Sequence, residues 1–412
     1  MKLDVSRLIL LILFLVTVVF ISAPTLLRYS NGGDARLIGS DSYYYLRIAR
    51  EILEENKVPE FDVLSYGGRQ IKFYNLGWPL ILVFLEMILP LSLLFISKVL
   101  PIFFSIFNII FLYLILKKIR IRNLEFFSIL FIFVLSPTFL YASSINTPLT
   151  LVISLFLAGF YFFLSNKRSH NLFSILLLST IPLFMFVHGF IAFMLILLYC
   201  LIFDNKKLKL CLLVVLAILI AYSILVIING NFEIVNFNTH DRVRNYSVFE
   251  FGSEYGLGLF SIILAFFGIV LNKFSKNIKF YLLLILVAFI IFLNKYYDLI
   301  FYFNIFVAVL GGLGLSRLFR SKWEIEIIRK TTIAILLIGL LFSGFSFIGM
   351  ATSLEPSIKL YGGIDYLANT GGNVDTVMAY YRLGHYISYA GKRNIMDTNF
   401  AYAPNVNKRY ND

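Results

Sequence analysis

The chain is built of long apolar runs separated by short polar connections. The runs are Leu8–Leu27, Phe95–Leu116, Phe126–Leu140, Pro148–Leu164, Leu172–Val187, Phe190–Phe203, Leu208–Ile228, Leu257–Leu271, Phe280–Leu293, Leu299–Leu315 and Thr332–Met350. Runs of about 18 apolar residues read as membrane-spanning helices. The pattern therefore predicts an all-α polytopic membrane protein. Leu8–Leu27 follows Lys2 and Arg7. It is too long for the apolar core of a signal peptide and lacks a small-residue cleavage site, so it is taken as the first span.

One further run, "GWPLILVFLEMILPLSLL" from Gly77 to Leu94, is interrupted by Glu86 and Pro90. Charge decides its role. If it does not cross fully, the basic clusters Met1–Arg7, Lys117–Arg122, Lys167–Arg168, Lys206–Lys209, Lys273–Lys279 and Arg317–Lys330 all face one side. If it crosses, the first cluster opposes the others, against the positive-inside bias. It is read as a re-entrant or interfacial helix covered by other protein. The expected topology is then about eleven spans, with the N-terminus inside and the C-terminus outside. Residues 1–351 form the transmembrane unit, with outer loops at 28–76 and 229–256, and residues 352–412 a short outer segment of mixed α/β character.

Composition agrees with this reading. Of 412 residues, 59% are hydrophobic and only 14% charged, against about 25% charged in soluble domains. The net charge of +13 is accounted for by basic inner loops, so no nucleic-acid partner is expected. Cys200 and Cys211 lie in or beside apolar runs and read as small buried hydrophobes. There is no internal repeat, low-complexity tract or heptad seam.

Candidate chemistry collects on the expected outer face. The first outer loop holds "IGSDSYYYLRIAREILEEN", Ile38 to Asn56. Its apolar spacing from Ser42 to Glu55 predicts a helix, with Ser40 or Asp41 as N-cap. On spacing alone this is a capped surface helix whose tyrosines meet the membrane interface; the alternative is the floor of a site carrying Asp41. The loop "NTHDRVRNYSVFEFGSEYG" gathers His240, Asp241, Arg242, Arg244, Glu250 and Glu254. Carboxylates from two such loops suit a divalent cation, and Arg242 and Arg244 suit a diphosphate. The alternative is a solvated loop whose charges pair among themselves. His188, alone in "FVHGF", reads as a structural group, and the sequon at Asn245 carries no weight.

Four features, in order, resemble the catalytic subunit of oligosaccharyltransferase among the C-type glycosyltransferases. "SDSYYYLRIAREILE" resembles its first-loop aspartate motif and "NLGWPL" the proline-containing stretch after it. "SVFE", Ser247 to Glu250, fits the SVxE signature, and "AYYRLGHYISYAGKRNIMDTN" resembles the segment around WWDYG. The resemblance covers nearly the whole chain. It implies a C-type glycosyltransferase arrangement and transfer of a glycan from a polyprenyl (di)phosphate carrier to a protein asparagine. It further implies a divalent cation, Mn2+ or Mg2+, on Asp41. Asp41 would also touch the acceptor amide, and Glu250 would hold that amide from the opposite side. Tyr380, Tyr381 and Arg382 stand where the acceptor's Ser or Thr is held.

The departures are specific. The second acidic motif should fall at "ASSINTP", where Asn146 offers only a neutral oxygen to the metal. The usual carrier-phosphate arginine is replaced by "NKYYDLIFYF", with Lys295 nearby, and WWD has become Tyr-Tyr-Arg. Two other readings therefore stay open. One is transfer from a polyprenyl-phosphate monosaccharide to a lipid or polysaccharide, using an outer-loop aspartate as general base without metal. The other is a catalytically silent homologue that binds the lipid carrier. The expected setting is a multi-pass protein of a prokaryotic plasma membrane.

Overall fold

A computed structural model describes residues 5–30, 37–64, 69–71, 73–165, 167–203, 207–229, 256–272, 282, 299–353, 356–370, 375–380 and 383–394. The membrane part contains helices α1 (Val5–Ser30), α4 (Leu93–Lys118), α5 (Asn123–Val134), α6 (Pro137–Ser144), α7 (Leu149–Phe163), α8 (Arg168–Phe184), α9 (Phe186–Phe203) and α10 (Leu208–Asn229). It continues with α11 (Leu259–Leu271), α12 (Leu299–Arg320) and α13 (Glu326–Ser353). Between α1 and α4 lie α2 (Ser40–Glu55), a two-residue antiparallel pair β1 (Phe61–Asp62) and β2 (Arg69–Gln70), and α3 (Phe73–Ile88). The chain continues past α13 with α14 (Ile358–Asn369), β3 (Thr376–Val377), α15 (Gly384–Tyr389) and β4 (Arg393–Asn394), β3 and β4 pairing in parallel.

The expectation of about eleven spans is not met among the described residues. Five helices are long and apolar enough to cross a membrane: α1, α4, α10, α12 and α13. A sixth is added if α5 and α6, bent by 54° at their junction, count as one. Part of the difference is physical. Pro137 opens α6 after a break at Ser136, and α7, α9 and α11 are shorter apolar helices. The Phe280–Leu293 run falls almost wholly outside the described residues. At 16 residues, α3 extends about 24 Å, less than the roughly 30 Å of a hydrocarbon core.

Two apolar cores result. The larger fills the bundle from Leu13 of α1 to Ala351 of α13. Within it, α11 and α12 touch backbone to backbone, because a Cβ on Gly268 would lie 2.0 Å from the Leu310 carbonyl oxygen and one on Gly314 2.2 Å from that of Leu264. Glycine is the residue that permits such approach between spans, where packing rather than water drives association. Polar side chains are satisfied across helices. Ser154 Oγ donates to Asn108 Oδ1 at 2.7 Å, Ser105 Oγ to Ser143 Oγ at 2.6 Å, and Ser136 Oγ to Asn304 Oδ1 at 2.6 Å.

The second core lies under the polar-looking segments between α1 and α4 and after α13. It joins Tyr43–Leu46, Ile48, Ala49 and Ile52 of α2 to Trp78 and Leu82 of α3, Ile96 of α4, Ile364 of α14 and Tyr386 of α15. The helix Ser40–Glu55 is thus not the surface helix that spacing allowed. Nor is it capped as expected: Gly39 occupies the N-cap at φ 82°, with no side-chain cap hydrogen bond. Only glycine takes that backbone readily, so Ser40 and Asp41 fall inside the first turn. Beside Tyr44, Arg47 is buried and pairs with Asp62 at 2.5 Å and Glu51 at 3.4 Å, tying β1 to the helix. Burial works against the Arg47 charge, but Asp62 and Glu51 beside it outweigh that and hold its pKa above the ordinary value. Burial pushes the Glu51 carboxyl up despite Arg47.

Two consequences are measurable as thermal midpoints in detergent. Gly268→Val should force α11 from α12 and cost about 1–3 kcal/mol or more, while the same change at exposed Gly362 should have little effect. Asp62→Ala strands a buried guanidinium and should cost about 3–5 kcal/mol, much of which Arg47→Met/Asp62→Leu should recover.

Candidate functional site

The site is built on the first turn of α2. Residues Ser42 to Ala49 are all buried, but the Asp41 side chain is 33% exposed. The helix wall therefore pushes one carboxylate out of an apolar, aromatic surface. The N-terminal end of the helix dipole favours that negative charge. Ser40 Oγ donates to Asp41 Oδ1 at 3.4 Å.

Beneath Asp41, α2 is joined to the turn that precedes α7. Ile38 and Ile145 form a parallel bridge. Ser42 Oγ donates to the Ile38 carbonyl at 2.6 Å and accepts from the Asn146 backbone N–H at 2.9 Å. The Asn146 amide group donates through Nδ2 to the Ser42 carbonyl at 3.4 Å, and its Oδ1 accepts from the indole of fully buried Trp78 at 2.8 Å. The oxygen expected to serve a metal is therefore committed to α3, and Asn146 is only 1% exposed. Of the two residues expected to hold a divalent cation, Asp41 keeps a partly exposed carboxylate, while the Asn146 oxygen already accepts from Trp78. Among the described residues, no group of three His, Cys, Asp or Glu is arranged to hold a metal.

Above Asp41 lies α15, from the C-terminal segment. Gly384 to Ser388 are buried. His385, 0% exposed, places Nε2 4.0 Å from Asp41 Oδ1 and its ring 5.1 Å from that of Tyr44. Tyr43 meets Tyr386 and Tyr389 edge-on, each at 5.0 Å. Arg50 donates to the Tyr389 hydroxyl at 2.9 Å and lies 4.8 Å over that ring. Arg393 donates to the Val63 carbonyl at 2.9 Å. The tyrosines following Asp41 are therefore wall, packed against the tail rather than the membrane interface.

Other expected residues fall elsewhere. Tyr380 is exposed on the approach to α15, its carbonyl accepting from Leu383 N–H at 2.9 Å. Glu250, Arg242, Arg244, Lys295, Tyr381 and Arg382 lie outside the described residues. His188 is buried and bonds the Tyr302 hydroxyl at 3.1 Å, joining α9 to α12. Cys200 and Cys211 are fully buried and not joined in a disulfide. Sequence reasoning missed His385. Its signal was "LGHYI", a histidine following a glycine in the segment already matched to a site motif.

No family model matches the chain, and no curated protein matches it in sequence. Solved structures do. The oligosaccharyltransferase of Archaeoglobus fulgidus, in its apo form, superposes with a TM-score of 0.69 at 14% identity, over 97% of this chain and 65% of that one. The archaeal oligosaccharyltransferase AglB from Archaeoglobus fulgidus, in complex with an inhibitory peptide and a dolichol-phosphate, gives 0.66 at 15% identity, over 95% and 64%. ArnT from Cupriavidus metallidurans, bound to undecaprenyl phosphate, gives 0.57 at 12% identity, over 95% of this chain and 85% of that one. The chain thus has the fold shared by these C-type glycosyltransferases, and spans about two thirds of the archaeal enzyme.

If Asn146 is a structural clamp, Trp78→Phe and Asn146→Ala should each destabilise the protein by about 1–3 kcal/mol. Their costs should be less than additive in a double-mutant cycle, because they share one bond.

Proposed function

We propose that this chain, with the C-type glycosyltransferase fold, is a membrane glycosyltransferase drawing on a polyprenyl (di)phosphate carrier, with Asp41 as its reactive carboxylate. The observation that carries the reading is Asp41 itself: a half-open carboxylate set in an otherwise buried aromatic wall, on a fold whose solved examples include complexes with dolichol-phosphate and undecaprenyl phosphate.

In that reaction the acceptor's nitrogen or oxygen bonds to the anomeric carbon of the donor sugar. The C1–O bond to the carrier breaks, its electron pair leaving on the phosphate. The proton lost by the acceptor passes to Asp41, which general base catalysis makes worth about 10²–10⁴-fold. The buried wall excludes water, which would otherwise compete as acceptor. Outside the described residues, Glu250 is assigned to the far side of the acceptor. Arg242, Arg244 and Lys295 are assigned to the leaving phosphate, where fixed cations offset developing charge. Tyr380, Tyr381 and Arg382 are assigned to acceptor choice.

The first reading of the acceptor is a protein asparagine, as in oligosaccharyltransferase. Its amide lone pair is delocalised and demands more activation than one base supplies. A second reading is favoured by the Trp78–Asn146 bond, which occupies the oxygen that would assist a cation. A hydroxyl acceptor, on a lipid or polysaccharide, needs only a base. The expected setting for either is a prokaryotic plasma membrane, with Asp41 on its outer side.

Membranes carrying the protein, supplied with a polyprenyl-linked sugar, should transfer it either to a sequon peptide or to a lipid hydroxyl. Asp41→Asn should reduce that transfer by about 10²-fold or more while the thermal midpoint stays near that of the wild type. Undiminished transfer would remove both enzyme readings and leave the silent carrier-binding homologue.

A further inference from the structure

We propose that His385 is a positioning residue for Asp41, fixing the carboxylate so that Oδ1 faces the tail and Oδ2 faces the acceptor. The proposal rests on the reading of Asp41 as the reactive carboxylate. It starts from where the two residues come from. Asp41 follows the first span, His385 lies beyond the last described one, and the fold brings Nε2 to 4.0 Å from Oδ1. Ser40 Oγ approaches the same oxygen at 3.4 Å. Two polar groups thus address Oδ1 from opposite ends of the chain.

The juxtaposition is built into the packing. The His385 ring rests on Tyr44, the neighbouring Tyr386 on Tyr43, and Tyr389, one turn later, on Tyr43 and Arg50. A helix of six residues has little stability of its own, so these contacts are what hold it. Aromatic pairs of this geometry add about 0.5–1.5 kcal/mol each beyond the area they bury. The three tyrosines after Asp41 thereby gain a purpose that the wall alone does not require: two of them hold the element that carries His385. A histidine fully buried against the Tyr44 ring, with its Nε2 4.0 Å from the partly exposed Asp41 carboxylate, restricts where that carboxylate can rotate. Misplacement of a reacting group by about 1 Å costs on the order of 10²-fold in rate, so restriction of this kind should appear in turnover rather than in affinity.

The test separates donor from ring. His385→Phe keeps the packing on Tyr44 and removes the nitrogen; His385→Gln restores a donor near Nε2. For transfer from a polyprenyl-linked sugar, His385→Phe should lower kcat by about 10–100-fold with KM and thermal midpoint nearly unchanged, and His385→Gln should recover most of it. Wild-type turnover in His385→Phe, or a loss that tracks a fallen midpoint, would overturn the proposal. If the wild-type protein transfers nothing, the glycosyltransferase reading fails by itself. The Asp41→Cys/His385→Cys double variant, in a Cys200→Ser/Cys211→Ser background, then tests the juxtaposition alone. Rapid disulfide formation with copper phenanthroline in intact membranes supports it, and none overturns it.

Discussion

The seat of α2 depends on the hydroxyl of Ser42. It donates to the Ile38 carbonyl and accepts from the Asn146 N–H, so a single buried oxygen closes the entry into α2 and seats that helix on the turn before α7. Both backbone groups lie where water does not reach, and leaving either unmade would cost about 1–3 kcal/mol. No other side chain of similar size can donate and accept at once in so little space except threonine and cysteine, and Thr adds a methyl group in a fully buried position. With Ser42 in place, Asp41 has no choice of side: its neighbours are turned inward and it is turned out.

From that joint the unit around α2 is assembled by two kinds of force. One is aromatic, where Tyr43 and Tyr44 receive α15. The other is ionic, where Arg47, over the Tyr44 ring on the same side of the helix, receives Asp62 in a buried pair. The pair is better evidence of fixed geometry than of net stability, because desolvation consumes most of the attraction. Its effect is to hold the β1–β2 pair against the helix. Arg393 then reaches back to the Val63 carbonyl, so the tail is tied both to the helix and to the segment the helix holds.

The sequence made some of this legible. The apolar runs told which stretches enter the membrane, and Asp41 stood out as an acid placed directly after such a run. The helix Ser40–Glu55 was visible in its spacing, but its cap was not: a positive φ at Gly39 is a backbone property that residue type only permits. The burial of that helix was hidden because its partners, Trp78, Ile364 and Tyr386, lie in separate segments. Asn146 was judged by the metal it should bind, and the competing indole of Trp78, 68 residues away, has no local signature. His385 was hidden for the same reason. Spacing reports neighbours along one element, and this site is made between elements.

Helix lengths also bear on the setting of the site. At one end of α7, the Lys118 and Lys207 ammonium groups donate to the Tyr161 and Phe163 carbonyls at 2.9 and 2.7 Å. These cations cap the helix where its dipole is negative. From there α7 runs 15 residues, about 22 Å, to the turn that carries Asn146. That is some 8 Å short of a hydrocarbon core of about 30 Å. The return path agrees, since α5 and α6 lose height to the 54° bend between them. The turn that forms the floor of the site is thus separated from those cations by less than the thickness of a hydrocarbon core. Nearby, α3 and the first turns of α4 expose Phe84, Met87, Ile88 and Phe95, an apolar surface suited to lipid. Beside the Asp41 carboxylate stands α15, anchored on Tyr43 and Tyr44.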